Sequence, residues 1–132
     1  MKTGKVLDSY ALLSYLQGER GCAVVKAALA SDEIRILMNE INLGEVFYIL
    51  ARGRGLAQGD HFLDSILPLL PIKIIGNDLD RVIQAARIKA EYSLSYADCF
   101  AVVTARDENA AILTGDPEFK AVESLVRIEW IT

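Results

Sequence analysis

Short apolar runs alternate with helical patterns along almost the whole chain, and this alternation limits the available folds more than any other feature. Lys5-Val6-Leu7, residues 34–38, the β-branched run 72–75, residues 110–113 and residues 127–131 read as strands. Helical periodicity covers residues 10–17, 21–30, 39–51, 78–92 and 96–106. A weaker helix over 56–67 is broken by Pro68 and Pro71, and a short one covers 117–123. Gly18 stops the first helix, and Gly53 with Gly55 stops the third. Ile41, Val46, Ile49 and Leu50 fall on one side of the 39–51 helix, and Leu79, Val82, Ile83 and Ala86 form the expected inward face of the 78–92 helix. Strands separated by helices pair in parallel, with the helices on both faces of the sheet. The expectation is an α/β domain, a three-layer α/β/α sandwich with a central, mostly parallel sheet of about five strands, spanning residues 1–132 as one unit.

A chain of 132 residues is long enough to bury a core without staples. With 52% hydrophobic and 24% charged residues it is too apolar for a disordered segment. No apolar run approaches the ~20 residues of a membrane span, so no membrane partner is expected. The stretch MKTGKVLDSYALL carries Asp8 inside its apolar part and has no small-residue cleavage site, so it does not read as a signal peptide. Cys22 and Cys99 lie far apart in apolar surroundings with no C-x-x-C, as expected of buried free thiols in a cytoplasmic protein. The net charge of −4 weighs against general nucleic-acid binding, although an acidic active site would itself supply part of that charge.

The stretch AILTGDPEFKAVE raises the functional question, because an apolar strand ends on Asp116 just where a helix begins. In doubly wound sheets ligands gather at the C-terminal edge, where strands end and helices start. Asp8 follows the first strand and Asp116 the fourth, while Glu45 and Asp98 fall in the first turns of helices. Each acid has a purely structural explanation. Asp8 and Asp116 suit N-caps, the latter with Pro117 in the favoured first position. Ser95-x-x-Asp98 and Asn42-x-x-Glu45 resemble capping boxes. Taken together, four carboxylates at one edge would repel each other more than helix dipoles could offset, at roughly 0.3–1 kcal/mol each. A divalent cation resolves that conflict. Hard oxygen ligands suit Mg²⁺ or Mn²⁺, which activate water in phosphodiester cleavage.

Other candidates are weaker. His61 with Cys99 would make a nucleophile–base pair, but no third group is evident to orient it, and a solvated surface histidine is the simpler account. One histidine and two cysteines are too few for a zinc site within one chain. Arg52-Gly53-Arg54-Gly55 could touch phosphates, yet it also suits a helix C-terminus. No phosphate-binding glycine loop is present. Tyr10, Tyr15, Phe47 and Tyr48 read as core or subunit-interface aromatics.

The segments VLDSYALLSYL, INLGEVFYIL, LSYADCFAVVTA and ILTGDPEF, in this order and spacing, resemble the acidic motifs of PIN-domain ribonucleases, most closely the VapC toxins of type II toxin–antitoxin systems. The resemblance covers nearly the whole chain. It implies Mg²⁺- or Mn²⁺-dependent cleavage of RNA, with Asp8, Glu45 and Asp98 around the ion and Asp116 at the rim. Thr114 matches a hydroxyl before the last acid, and Ser9 a small polar residue after the first, both as substrate- or water-positioning groups. It also implies a homodimer and a separate antitoxin. Its apolar helix would lie near the site, with an Arg or Lys reaching the acids. Apolar residues on the early helices, including Leu12, Leu13, Tyr15, Leu16, Val24, Val25, Leu29, Phe47 and Leu50, are the surface expected to need such partners. Two alternatives stand beside this reading: a catalytically silent PIN-like interaction module whose acids are only caps, and a receiver-like Mg²⁺ phosphotransfer domain. The second normally needs adjacent acids after the first strand and a late lysine, neither of which occurs here.

Overall fold

A computed structural model describes residues 2–132. The elements in chain order are β1 (Thr3–Leu7), α1 (Ser9–Gln17), α2 (Cys22–Ala30), β2 (Ile34–Asn39), α3 (Glu40–Arg54), α4 (Leu56–His61), β3 (Ile72–Ile75), α5 (Leu79–Glu91), α6 (Tyr96–Asp107), β4 (Ala111–Thr114) and β5 (Ile128–Trp130). A π-helical turn over Phe62–Ile66 and a 3-10 turn over Leu67–Leu69 lead from α4 into β3, and a 3-10 helix over Pro117–Val122 links β4 to β5. The strands form one sheet in the order β3-β2-β1-β4-β5, every neighbouring pair parallel. The order reverses between β1 and β4, so the crevice at the C-terminal ends of these two strands is where this topology hosts ligands.

Strand alternation builds two cores. Val6, Leu37 and Ile112 face one side, against Ala85 and Ile88 of α5 and Cys99, Val102 and Val103 of α6. Leu7, Ile36, Met38 and Leu113 face the other, against Ala11 and Leu12 of α1, Val25 of α2, Val46 of α3 and Phe62. Strands covered on both faces lose the polar half of the usual alternation, which explains runs such as Ile34–Asn39.

Several faces differ from the sequence expectation. On α5 the buried residues are Ala85 and Ile88, whereas Leu79 and Ile83 are exposed. On α3 the buried line is Asn42, Val46 and Leu50, and Ile41 faces solvent. In both helices a polar or small residue holds the core position, so periodicity counted on large apolar residues alone misses the face. The early helices are also better covered than expected. Leu12, Val25 and Leu50 are buried, while Leu13, Tyr15, Leu16 and Leu29 pack partly against the same core. Val24 on α2 is exposed as expected, while the other large apolar residues left uncovered lie mainly along Ile41, Tyr48, Leu56, Leu63, Leu69, Leu79 and Ile83. Tyr10 and Tyr48 are likewise exposed rather than core. Both cysteines are free thiols. Cys99 is buried, but Cys22 is only half-buried, its Sγ donating to the Tyr15 carbonyl at 3.7 Å.

Asn39 is one of the polar residues fully enclosed in this frame, with Asn42, Thr104 and Thr114. Asn39, at the end of β2, caps α3 by accepting from the Ile41 N–H at 2.9 Å. Its amide also exchanges hydrogen bonds with Asn77 at 2.7 and 3.0 Å and donates to the Thr104 hydroxyl at 3.0 Å. It thus ties β2, α3, α6 and the β3–α5 loop together. Replacing Asn39 with Ala removes a cap and a buried network at once. The expected loss is about 2–3 kcal/mol, seen as a lower urea midpoint at unchanged slope. Asn39→Asp keeps the cap acceptor but cannot donate to Asn77 or Thr104, and should be at least as costly at neutral pH.

Candidate metal centre

Register alone brings the first two site residues together. Val6 pairs with Ile112 and Leu7 with Leu113, so one step further along the parallel strands sets Asp8 beside Thr114. The Thr114 hydroxyl donates to Asp8 Oδ2. Asp8 Oδ1 accepts from the Ala11 N–H at 2.8 Å and caps α1. Capping and site-facing roles therefore coexist in one carboxylate, one oxygen each. Thr114 Oγ1 also accepts from the Asp116 N–H at 3.0 Å. Asp116 in turn caps the 3-10 helix by accepting from the Glu118 N–H at 3.0 Å, with Pro117 in the first turn. On α6, the Ser95 hydroxyl accepts from the Asp98 N–H at 3.2 Å.

Glu45 reaches the site differently from the expected capping box. Asn39 caps α3, so Asn42 and Glu45 lie inside the helix. Asn42 Nδ2 donates to the Ala97 carbonyl at 3.0 Å and to Glu45 Oε1 at 3.4 Å, linking that carboxylate to the start of α6. Asn42 Oδ1 is buried without a hydrogen-bond partner. Ser9 makes no hydrogen bond to any of the acids among the described residues.

The tightest grouping is Asp98, Asp116 and Glu118, whose carboxylate oxygens can be chosen within 4.8 Å of one another. Asp116 is thus inside the group rather than at its rim. Glu118 was not singled out from sequence. The signal for it is local: in Asp-Pro-Glu a capping Asp holds the N–H of the Glu two residues on, curling that Glu back toward the same edge. Asp8 and Glu45 stand outside this triad but within range of its charge, since Asp8 feels Asp98 and Asp116, and Asp98 feels Glu45, Asp116 and Glu118.

Burial pushes the Asp8 carboxyl up to about 8; the hydrogen bonds from Thr114 and Ala11 oppose this, and the charges of Asp98 and Asp116 add to it. Burial likewise raises Asp98 to about 7, against the Ser95 hydrogen bond and with the charges of Glu45, Asp116 and Glu118. These oxygens form a hard, all-carboxylate donor set, which fits a divalent cation such as Mg²⁺ or Mn²⁺. The rival nucleophile pair is excluded by position. Cys99 is buried in the α5/α6 core with its thiol pushed up to about 11 by burial, whereas His61 is exposed beside Phe62 of the opposite core. Arg52 and Arg54 end α3 before Gly55, with the Arg52 guanidinium 5.9 Å from the Tyr48 ring centre.

Because both carboxyls bind protons more tightly folded than unfolded, their contribution to stability is fullest below the ordinary value of 3.8 and is lost as pH rises toward about 8. Chelated protein should therefore lose stability across that window. Asp98→Asn should flatten the loss and be more stable than the native chain at pH 8 by about 1–3 kcal/mol, measured by urea unfolding. Asp8→Asn should gain less, because an amide cannot accept from both Ala11 and Thr114.

A sequence profile of the PIN domain matches residues 5–125. No curated protein matches the chain in direct sequence comparison. Among solved structures, DNA-bound VapBC from Salmonella typhimurium superposes with a TM-score of 0.76 at 16% identity, covering 100% of both chains. VapBC2 from Rickettsia felis, bound to a DNA fragment from its promoter, gives 0.74 at 19% identity over 97% of this chain and 98% of that one. Mycobacterium tuberculosis VapC20, described as a Sarcin-Ricin loop cleaving toxin, gives 0.74 at 17% identity over 89% and 94%. The profile spans most of the chain, and the all-parallel sheet matches these toxin–antitoxin structures: the chain belongs to the PIN domain family.

Proposed function

We propose that this protein is a divalent-metal-dependent endoribonuclease that hydrolyses RNA phosphodiester bonds, and the toxin of a type II toxin–antitoxin pair. The observation that carries the reading is the gathering of carboxylates from β1, α3, α6 and the β4–β5 connection at the topological switch point. Caps alone do not require such a gathering, and burial, with smaller additions from the neighbouring acids, raises the Asp8 and Asp98 carboxyls well above the usual carboxylate range. A polyanionic substrate would be repelled from it without a cation.

Asp98, Asp116 and Glu118 are the residues that would hold the ion, with Asp8 and Glu45 completing the negative field. When bound, Mg²⁺ or Mn²⁺ supplies Lewis-acid polarisation of a phosphoryl oxygen and a lowered pKa for water. The chain's own part is to position and to accept protons. Asp8 cannot rotate away, because Ala11 and Thr114 hold one oxygen each. The Thr114 hydroxyl couples Asp8 to the Asp116 backbone, so both acids keep one spacing. Glu118 is the exposed member of the triad, on its solvent side. Water as nucleophile leaves no role for a serine, cysteine or histidine.

Partners follow from the surface and from relatives. Two of the neighbouring structures are VapBC complexes bound to DNA. In this chain, uncovered apolar residues on α3, α4 and α5 are the surface that a second copy and an antitoxin would cover. An antitoxin Arg or Lys would find the acid group electrostatically favourable. No described helix is long and apolar enough to cross a membrane.

With Mn²⁺ or Mg²⁺ the purified chain should cut RNA, and chelation should abolish the cutting. Asp98→Asn should lower the rate more than about a hundredfold while the fold persists. Native-rate cleavage by that variant would refute the catalytic reading. Sedimentation at micromolar concentration should show a dimer; a strict monomer would remove the dimer but leave the nuclease.

A further inference from the structure

Tyr10 is the second residue of α1, two positions after Asp8. Its ring lies against the chain between Thr114 and Asp116: a methyl group at Gly115 would sit 2.4 Å from Tyr10 Cε1 and 2.9 Å from Cζ. Gly115 is not among the glycines with positive φ, so its conformation does not demand a glycine; the ring's close approach does. Tyr10 nevertheless remains 38% exposed. One side of the ring therefore packs on the turn that carries Asp116, and the rest faces outward beside the acids.

From the ring a cavity of about 270 Å³ runs along α1, lined by Tyr10, Leu13, Ser14, Gln17, Glu19 and Arg20. This lies just below the usual range of small-molecule pockets, a scale suited to one nucleotide unit. Arg20 takes part in none of the ion pairs among the described residues. Glu19 offsets its charge locally, so charge attraction alone does not make this a phosphate site. An aromatic ring, the apolar Leu13 side chain and a polar rim that offers donors and acceptors from Gln17, Glu19 and Arg20 match an unpaired base, which stacks on its face and hydrogen-bonds at its edge.

We propose that Tyr10 is the stacking platform for an unpaired base flanking the cleaved bond, and that the Tyr10–Arg20 cavity is the subsite for that nucleotide. The identity of the polymer rests on the ribonuclease reading; the stacking rests on the Tyr10–Gly115 packing. This makes Tyr10 a substrate-binding residue and Gly115 the position that lets its ring approach the acids.

The test uses Asp98→Asn protein, so that RNA stays intact, and fluorescein-labelled single-stranded RNA oligonucleotides at fixed salt with Mn²⁺, read by anisotropy. Adding Tyr10→Ala or Tyr10→Leu should weaken binding about tenfold, as loss of one base–aromatic stack does, while Tyr10→Phe retains it. The leucine variant keeps apolar packing on Gly115, and circular dichroism checks that each variant is folded. An abasic nucleotide placed at successive positions should reveal one position where base removal and Tyr10→Leu are not additive. Native affinity in Tyr10→Leu, or additive losses at every position, would overturn the subsite. So would loss of self-association in Tyr10→Leu with RNA affinity unchanged, which would make this face a protein interface. Cleavage of the same oligonucleotides by protein with native Asp98 is scored separately: its absence defeats the nuclease reading, whereas Tyr10- and base-dependent affinity still establishes the subsite.

Discussion

Parallel pairing of five short strands, both faces covered, obliges every strand of this domain to end at one edge. Helices carry the chain back, and those that follow β1, β2 and β3 directly begin at that edge with their N–H groups unpaired. Short polar side chains answer this need: Asp8, Asn39, Asp78, Ser95 and Asp116 each accept from a helix N-terminus. Caps are therefore plentiful at the edge for reasons of backbone chemistry alone. The switch between β1 and β4 then opens a crevice among some of them, and there caps become candidates for chemistry.

Asp8 and Asp78 show the difference between the two situations. Both cap a helix through one oxygen. Asp78 stands at the exposed start of α5, beyond the edge strand β3 and away from the crevice between β1 and β4. Asp8 ends the central strand, is almost wholly buried, and spends its second oxygen on Thr114. Its neighbours across the crevice are acids from segments far apart in sequence. Position in the sheet, rather than residue type, separates the two.

This is also why the sequence disclosed the fold more fully than the site. The β-branched and apolar runs, the glycine stops and the prolines after α4 are local signals, and they located every strand to within a residue or two. Which face of α5 turns inward was not local: Ala85 and Ile88 take the core because α6 packs closely there, and the larger Leu79 and Ile83 are left outside. The acids Asp8, Glu45, Asp98 and Asp116 were legible as a motif in order. Their grouping was not, because it depends on how the turn after β4 curls, and that turn brings Glu118 into the group. Asn42 was misread for a similar reason. Its spacing from Glu45 imitates a cap, whereas its contact with Ala97 belongs to the packing of α3 on α6.

The pairing of β1 with β4 has a consequence for timing. The bond from Thr114 to Asp8 spans 106 positions of chain. During synthesis β1 leaves the ribosome well before β4, one of its neighbours in the sheet, has been made. Until then Asp8 is a solvated carboxylate on an incomplete sheet, and Asp98, Asp116 and Glu118 have no shared wall to face. A nascent chain thus holds all the early residues of the crevice and none of its geometry. The acid cluster takes shape only after β4 and the turn behind it have been made, so anything that must restrain it has the time taken to synthesise the residues between β1 and that turn in which to be ready.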